Sequence, residues 1–529
     1  MSSSRPRWLM GSLALTLLPA LSTMASAETA EPLLTEKTPT KLVLAGDLHS
    51  YKPILRREPL GIAIELPLSV LGRVEGVGDY PVDLNRGTLH QTMLENGAAG
   101  NVQARVGLRI NTRRVLLPFN LAAEYEHDVI TGPVGGEPEI AGDGLPNSQA
   151  LESQLRKAYG RVSLGYFLHL SGGLMTSNWG MGLLANDGAH GWEPGTARFT
   201  DPRGGDRVIR VALASGPVTP LGLFAAVGFD WVHDDDVTLD DDKARQLIAA
   251  VAIGRGKPTT AGVYFVWRTQ EATDGDTTEV NVIDLYAKTS FALTPHWRLR
   301  LEGEAALILG TTGLASSPEF PEKDVLQLGV AARASVGYRR KIGAVVDFLY
   351  ASGDENFDDD QQNAFKPDPN YEVGLLLYRH LMAAQTGRAP HRASDPTLVG
   401  QPNEDLDRFP TRGSAANTVA VFPRFWWRPT VGLELYGGPL IAFAAANNAD
   451  PLNTRLAGGV PRNAFDAAPG NYLGTELDLG ARFQALVAGT LLMAGLEGGV
   501  LLPGSAYRDV DGRKMDLILG GRVILGYNF

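Results

Sequence analysis

Asn101-Val102-Gln103-Ala104-Arg105-Val106-Gly107-Leu108-Arg109-Ile110-Asn111 decides how this chain has to be read. Val102, Ala104, Val106, Leu108 and Ile110 fall on one side of an extended backbone, and Gln103, Arg105 and Arg109 fall on the other. Successive side chains of a strand point to opposite faces, so the segment has one apolar wall and one charged wall. The pattern recurs. Between 296 and 309, Trp297, Leu299, Leu301, Ala305, Leu307 and Leu309 oppose Arg298, Arg300, Glu302 and Glu304. Between 476 and 487, Leu477, Leu479, Phe483 and Val487 oppose Glu476, Asp478, Arg482 and Gln484. A soluble sheet also alternates, but seldom in strands long enough to cross a bilayer, which takes ~9–11 residues at a tilt.

The links between these strands alternate in length. Tight ones sit at 113–114, 216–220, 255–258, 294–295, 339–341, 428–429 and 488–490, and long polar stretches such as 181–205, 354–415 and 443–474 lie between them. Outer-membrane barrels carry short periplasmic turns and longer outside loops. Eighteen candidate strands, from 59–71 to 516–529, follow from the pattern, with sixteen as the alternative, and bacterial single-chain barrels are even-stranded. Pro67 interrupts the first strand, and the fifth, 172–180, is short. The expected fold class is an all-β, transmembrane antiparallel β-barrel. Trp231, Trp267, Trp297, Trp426, Trp427, Tyr338 and Tyr350 fall near strand ends, where an aromatic girdle meets the interfaces.

The N-terminus supplies an address. Arg5 and Arg7 precede an apolar run from Trp8 to Leu21, and Ala25-Ser26-Ala27 forms an A-x-A cleavage site. Residues 1–27 read as a cleaved signal peptide, 28–58 as a periplasmic segment and 59–529 as the barrel. Loss of Arg5 and Arg7 leaves 46 basic against 59 acidic residues, a net charge of −13, which argues against a nucleic-acid partner. There is no cysteine, so disulfide frameworks and thiol chemistry are excluded. The nine histidines show no catalytic or metal spacing, and neither G-x-S-x-G nor H-E-x-x-H occurs. A group in one loop (Asp187, His190, Glu193, Asp201, Asp206) is the only cluster that suggests a catalytic site, and the reading is a conduit and not an enzyme.

The lumen-lining candidates are Arg105, Arg109, Arg161, Lys288, Arg298, Arg300, Glu302, Glu304, Arg333, Asp347, Glu434 and Arg482, with Asp478 and Arg522 beside them. Inward arginines can draw an anion through a narrow pore, and interleaved opposite charges can equally neutralise one another. Two loops are acidic, 234–242 and 354–360. In the second, Asp354, Asn356, Asp358 and Asp360 offer close oxygen ligands that suit Ca²⁺, against the reading of a solvated surface loop; the spacing is not that of an EF-hand. Leu517, Leu519, Val523, Leu525, Tyr527 and the terminal Phe529 share one face, and Tyr527 and Phe529 read as the signal for the barrel-assembly machinery. Outer-membrane lipid and lipopolysaccharide are the other expected partners.

The run Tyr350-Ala351-Ser352-Gly353-Asp354, the acidic residues through Asp360, then Phe365-Lys366-Pro367 and Tyr371, resembles the alginate-export family of outer-membrane porins. The resemblance implies an 18-stranded barrel with an arginine-rich lumen, an exported acidic polysaccharide as the anionic solute, and a periplasmic polysaccharide-export partner. A general small-solute porin and a ligand-binding or adhesive surface barrel are the alternatives. Trp179-Gly180-Met181-Gly182-Leu183-Leu184-Ala185-Asn186-Asp187-Gly188 resembles an uncharacterised myxobacterial-type outer-membrane β-barrel family, which implies no activity.

Overall fold

No water reaches the edges of a sheet in lipid, so its backbone is satisfied only when the sheet closes on itself. The computed structural model shows that closure. It describes residues 41–42, 55–85, 90–94, 97–112, 118–134, 151–165, 167–189, 196–199, 204–235, 237–239, 242–255, 257–316, 319–357, 359–387, 408–487 and 489–529. The expected signal peptide and most of the 28–58 segment lie outside these residues.

Eighteen antiparallel strands follow one another round the barrel. They are β1 (Leu68–Val77), β2 (Gly97–Asn111), β3 (Phe119–Val134), β4 (Glu152–Leu164), β5 (Leu168–Thr176) and β6 (Arg207–Val218). Next come β7 (Leu223–Asp234), β8 (Lys243–Ile253), β9 (Thr260–Glu271), β10 (Thr277–Ala292), β11 (Trp297–Thr312) and β12 (Lys323–Tyr338). The last six are β13 (Ile342–Ala351), β14 (Thr418–Thr430), β15 (Leu433–Phe443), β16 (Tyr472–Val487), β17 (Thr490–Pro503) and β18 (Ile518–Asn528). β18 pairs with β1 from Gly520↔Val77 to Asn528↔Ser69, and this seam leaves no free edge.

Every expected strand has its counterpart, with shifted ends. Ala63–Glu65 runs ahead of β1 and pairs with β2 in the same register, Glu65↔Arg109 and then Leu68↔Val106. Pro67 cannot donate to the ladder, but its carbonyl still accepts the Gly107 N–H at 2.8 Å, so the strand is interrupted without a slip. The fifth strand sits four residues before 172–180, because the chain turns back through Gly165 (φ 54°) directly after Leu164. β3 runs on past 127 because Asp128 belongs to the wall.

The wall reverses the usual order of a soluble protein. Leu479 faces outward and is 63% exposed, while its neighbour Asp478 faces inward at 0%. Leu326, Leu496 and Leu525 are exposed in the same way, and Arg333, Glu497 and Arg522 are buried inside. Only lipid makes that outer surface favourable. The chain is an outer-membrane β-barrel.

Trp297 packs on Tyr338 at 5.1 Å between ring centroids, at the end that carries the short turns. Trp426 departs from the expected girdle. It is buried facing the lumen, with the Arg428 guanidinium 4.5 Å from its ring, because Trp426 and Trp427 are adjacent and only one of them can face lipid.

Candidate functional site

Inward charges on neighbouring strands meet where the register sets them opposite. Arg105 faces Asp128 and donates to both of its oxygens at 2.7 Å. Arg109 faces Glu124 and donates to it at 3.0 Å, and the Tyr159 hydroxyl donates to the same carboxylate at 2.7 Å. Across the barrel, Glu302, Arg333 and Asp347 lie side by side on β11, β12 and β13. Arg333 donates to Asp347 at 2.6 Å, and Arg300 donates to Glu302 at 2.9 Å. Arg428 holds Glu434 at 2.5 Å. Glu497 accepts from Arg482 at 2.8 Å and from Arg522 at 2.6 Å.

Two segments enter the lumen and cover part of this wall. The first leaves β5 and returns at β6. Its Met181 and Leu183 N–H groups donate to Glu304, and its Phe199 ring lies 4.9 Å from Tyr436 and 5.8 Å from Phe422. The second leaves β13 and returns at β14. Its Leu375, Leu376 and Leu377 N–H groups donate to Glu476, and Arg379 reaches Glu372 at 2.7 Å and Glu75 at 3.2 Å. The segments also bond to each other, the Asp368 N–H donating to the Leu183 carbonyl at 2.9 Å.

Six of the expected path residues are set back from the open lumen. Glu302, Glu304, Arg333, Asp347, Glu434 and Arg482 face inward but are buried behind the infolded segments or inside ion pairs. Alternation gives a side chain's direction and carries no information about what packs in front of it.

Other inward cations remain open to the lumen, near the short-turn ends of their strands. Arg109 and Arg161 are exposed, as is Arg298, while Lys288 and Arg300 are partly so. Arg161 sits between Ala122 and Ser171, and Arg298 between Ala292 and Gly337. To these the structure adds Arg255, in the turn after β8, whose guanidinium lies 4.1 Å over the Phe224 ring. Burial, and then the neighbouring Arg161 cation, lower the Arg255 pKa from its ordinary value, yet it stays charged at neutral pH. Among the described residues, Arg161, Arg255, Lys288 and Arg298 have no carboxylate within ion-pair distance. Sequence reasoning missed Arg255 because a turn residue has no alternation to give its direction.

The acidic loops serve the fold. Asp354 is buried and accepts the Asn356 and Asn363 N–H groups at 3.0 Å each, and the Asp360 carbonyl accepts the Asp324 N–H at 2.8 Å. Asp358, one of the four residues expected to hold Ca²⁺, lies outside the described residues, among which no three His, Cys, Asp or Glu side chains are placed to hold a metal ion. His190, Glu193 and Asp201 also lie outside. In the other loop, Asp242 holds Arg408 of the long second segment at 2.8 and 3.1 Å, and Asp235 holds Arg268 at 2.5 Å.

Burial pushes the Asp235 carboxyl up, but Arg268 and the Thr238 hydrogen bonds more than reverse this and leave it well below the usual carboxylate range. A depressed folded value means stability that is full above the unfolded pKa of about 4 and is lost as pH falls through the folded value. The loop is thus expected to resist proteolysis from pH 5 to 8. D235N should open it at pH 7. Equal cleavage of the two proteins across that range would refute the ion pair's role.

No protein-family model matches the chain, and no curated protein matches it, so the alginate-export likeness is not confirmed. Solved structures of similar architecture include Pseudomonas aeruginosa OccK2 (OpdF) in complex with glucuronate, at 10% identity and a TM-score of 0.48, covering 88% of this chain and 98% of that one. Acinetobacter baumannii OccAB1 gives 9% identity and a TM-score of 0.48, covering 88% and 96%. Pseudomonas aeruginosa OprD gives 10% and 0.48, covering 88% and 95%.

Proposed function

We propose that the barrel is a channel that passes small anionic solutes across the outer membrane, along the face formed by Arg109, Arg161, Arg255, Lys288, Arg298 and Arg300, with Arg105 and Glu302 behind it. The observation that carries this is the set of four cations, Arg161, Arg255, Lys288 and Arg298, that face the lumen without an acidic partner among the described residues. A charge in a narrow pore acts through a lower effective dielectric than in bulk water, and its pull on a counter-ion is stronger there. Two infolded segments that meet across the lumen favour a small solute over a polymer, so polysaccharide export is the weaker form of the reading.

Reversal potentials across a planar bilayer test it. The wild-type barrel should prefer anions. Replacing Arg161, Arg255, Lys288 and Arg298 together with Glu should move the anion-to-cation permeability ratio by roughly tenfold at 0.1 M salt, and by less at 1 M, where the screening length falls to ~3 Å. These side chains break no ion pair when replaced, so the barrel should still assemble. An unchanged ratio at low salt would remove this face from the conducting path.

A further inference from the structure

Glu476 projects from β16 into the lumen and is fully buried. One of its oxygens accepts the Leu375 and Leu376 N–H groups at 2.6 and 2.8 Å, and the other accepts Leu377 N–H at 2.8 Å. The helical turn Leu377–Met382 starts here, so the carboxylate takes up N–H groups that have no partner within the helix and lies at the positive end of its dipole. Glu304 does the same for the first segment, accepting from Met181 on one oxygen and from Leu183 at 3.2 Å on the other. Gly180 (φ 58°) lets the chain come that close, since a Cβ there would lie 2.3 Å from a Glu304 oxygen. The second segment also seats Leu376 where the wall has no side chains: a Cβ at Gly520 would lie 2.5 Å from its Cδ2, and one at Gly499 3.3 Å from its Cδ1.

We propose that Glu304 and Glu476 set the aperture of the channel, as positioning residues that each hold one infolded segment in the lumen by its backbone N–H groups. The inference rests on the channel reading but not on its anion preference. Five N–H groups converge on the four side-chain oxygens of two buried glutamates, in an interior where an unmade hydrogen bond is costly. With the carboxylate gone, those N–H groups are unsatisfied inside the barrel and hydrated outside it, so the balance shifts toward a withdrawn segment. A Gln at 476 is no substitute, because its NH₂ group would face an N–H donor.

The test uses the full-length barrel, with unitary conductance and the uptake of neutral sugars of increasing size into liposomes as readouts. E304A, E476A and the double variant should raise conductance by about twofold or more, since an 18-stranded barrel without its infolded segments leaves an aqueous bore. They should admit larger sugars while keeping the wild-type anion preference, because the open cations are untouched. E476D should lie between wild type and E476A. Should a wall variant fail to assemble, Gly180→Ala crowds Glu304 from the segment side, leaves the wall intact, and should still raise conductance. Assembled variants that conduct and sieve as the wild type does would overturn the proposal. A wild-type barrel that conducts no ions would overturn the channel reading itself, and the aperture role with it.

Discussion

Deletion of Phe529 is expected to reduce the heat-modifiable, folded barrel in the outer membrane by about tenfold or more, with F529D at least as damaging. Phe529 closes the seam. Its N–H donates to the Leu68 carbonyl at 2.7 Å and its carbonyl accepts the Leu68 N–H at 3.3 Å, at the end of a ladder that joins the last strand to the first. Its ring lies 6.3 Å from that of Tyr527, which faces outward with Leu519, Val523 and Leu525. Loss of the residue exposes two backbone groups of β1 at the rim and shortens the one pairing that cannot be made by a hairpin. The terminal aromatic is also proposed as the feature the assembly machinery engages, so rate and closure should suffer together. Wild-type amounts of heat-modifiable barrel after the deletion would refute both roles.

Glu497→Ala should destabilise the barrel by about 3–5 kcal/mol, the range for breaking a buried charge pair from one side. Glu497 lies between the guanidiniums of Arg482 and Arg522 and also accepts the Tyr436 hydroxyl, and all four side chains are buried. Removal takes the anion away from two cations that cannot reach bulk water. Arg522 keeps Glu372 at 3.2 Å, which places the expected cost inside that range and not above it. E497Q retains one acceptor and should cost less. Arg513→Ala is the control, since its pairing with Asp511 at 3.8 Å is exposed on both sides, and exposed pairs contribute about 0–1 kcal/mol. Urea unfolding midpoints in lipid read all three. A loss below about 1 kcal/mol for E497A would mean that the cluster is hydrated.

Sequence alone determined the barrel, its parity and the facing of most side chains. Val102 and Arg105, or Leu479 and Asp478, are assigned to opposite walls by their positions in an extended chain, and that assignment needs no partner. The alternating link lengths then require hairpins, and lipid requires closure. Only the tertiary structure decided which inward charges are reachable. Glu476 caps N–H groups 99 to 101 residues away, and Glu304 caps groups 121 and 123 residues away. Such contacts leave no periodic trace. A Gly-rich polar stretch such as 177–189 looks the same in sequence whether water or a wall carboxylate satisfies its N–H groups. Only the fold shows Asp354 buried and accepting the Asn356 and Asn363 N–H groups, and Arg255 reads as a turn until its guanidinium is found over Phe224. Strand direction is a property of neighbouring residues, whereas the shape of the pore depends on segments that must cross the lumen to find their partners.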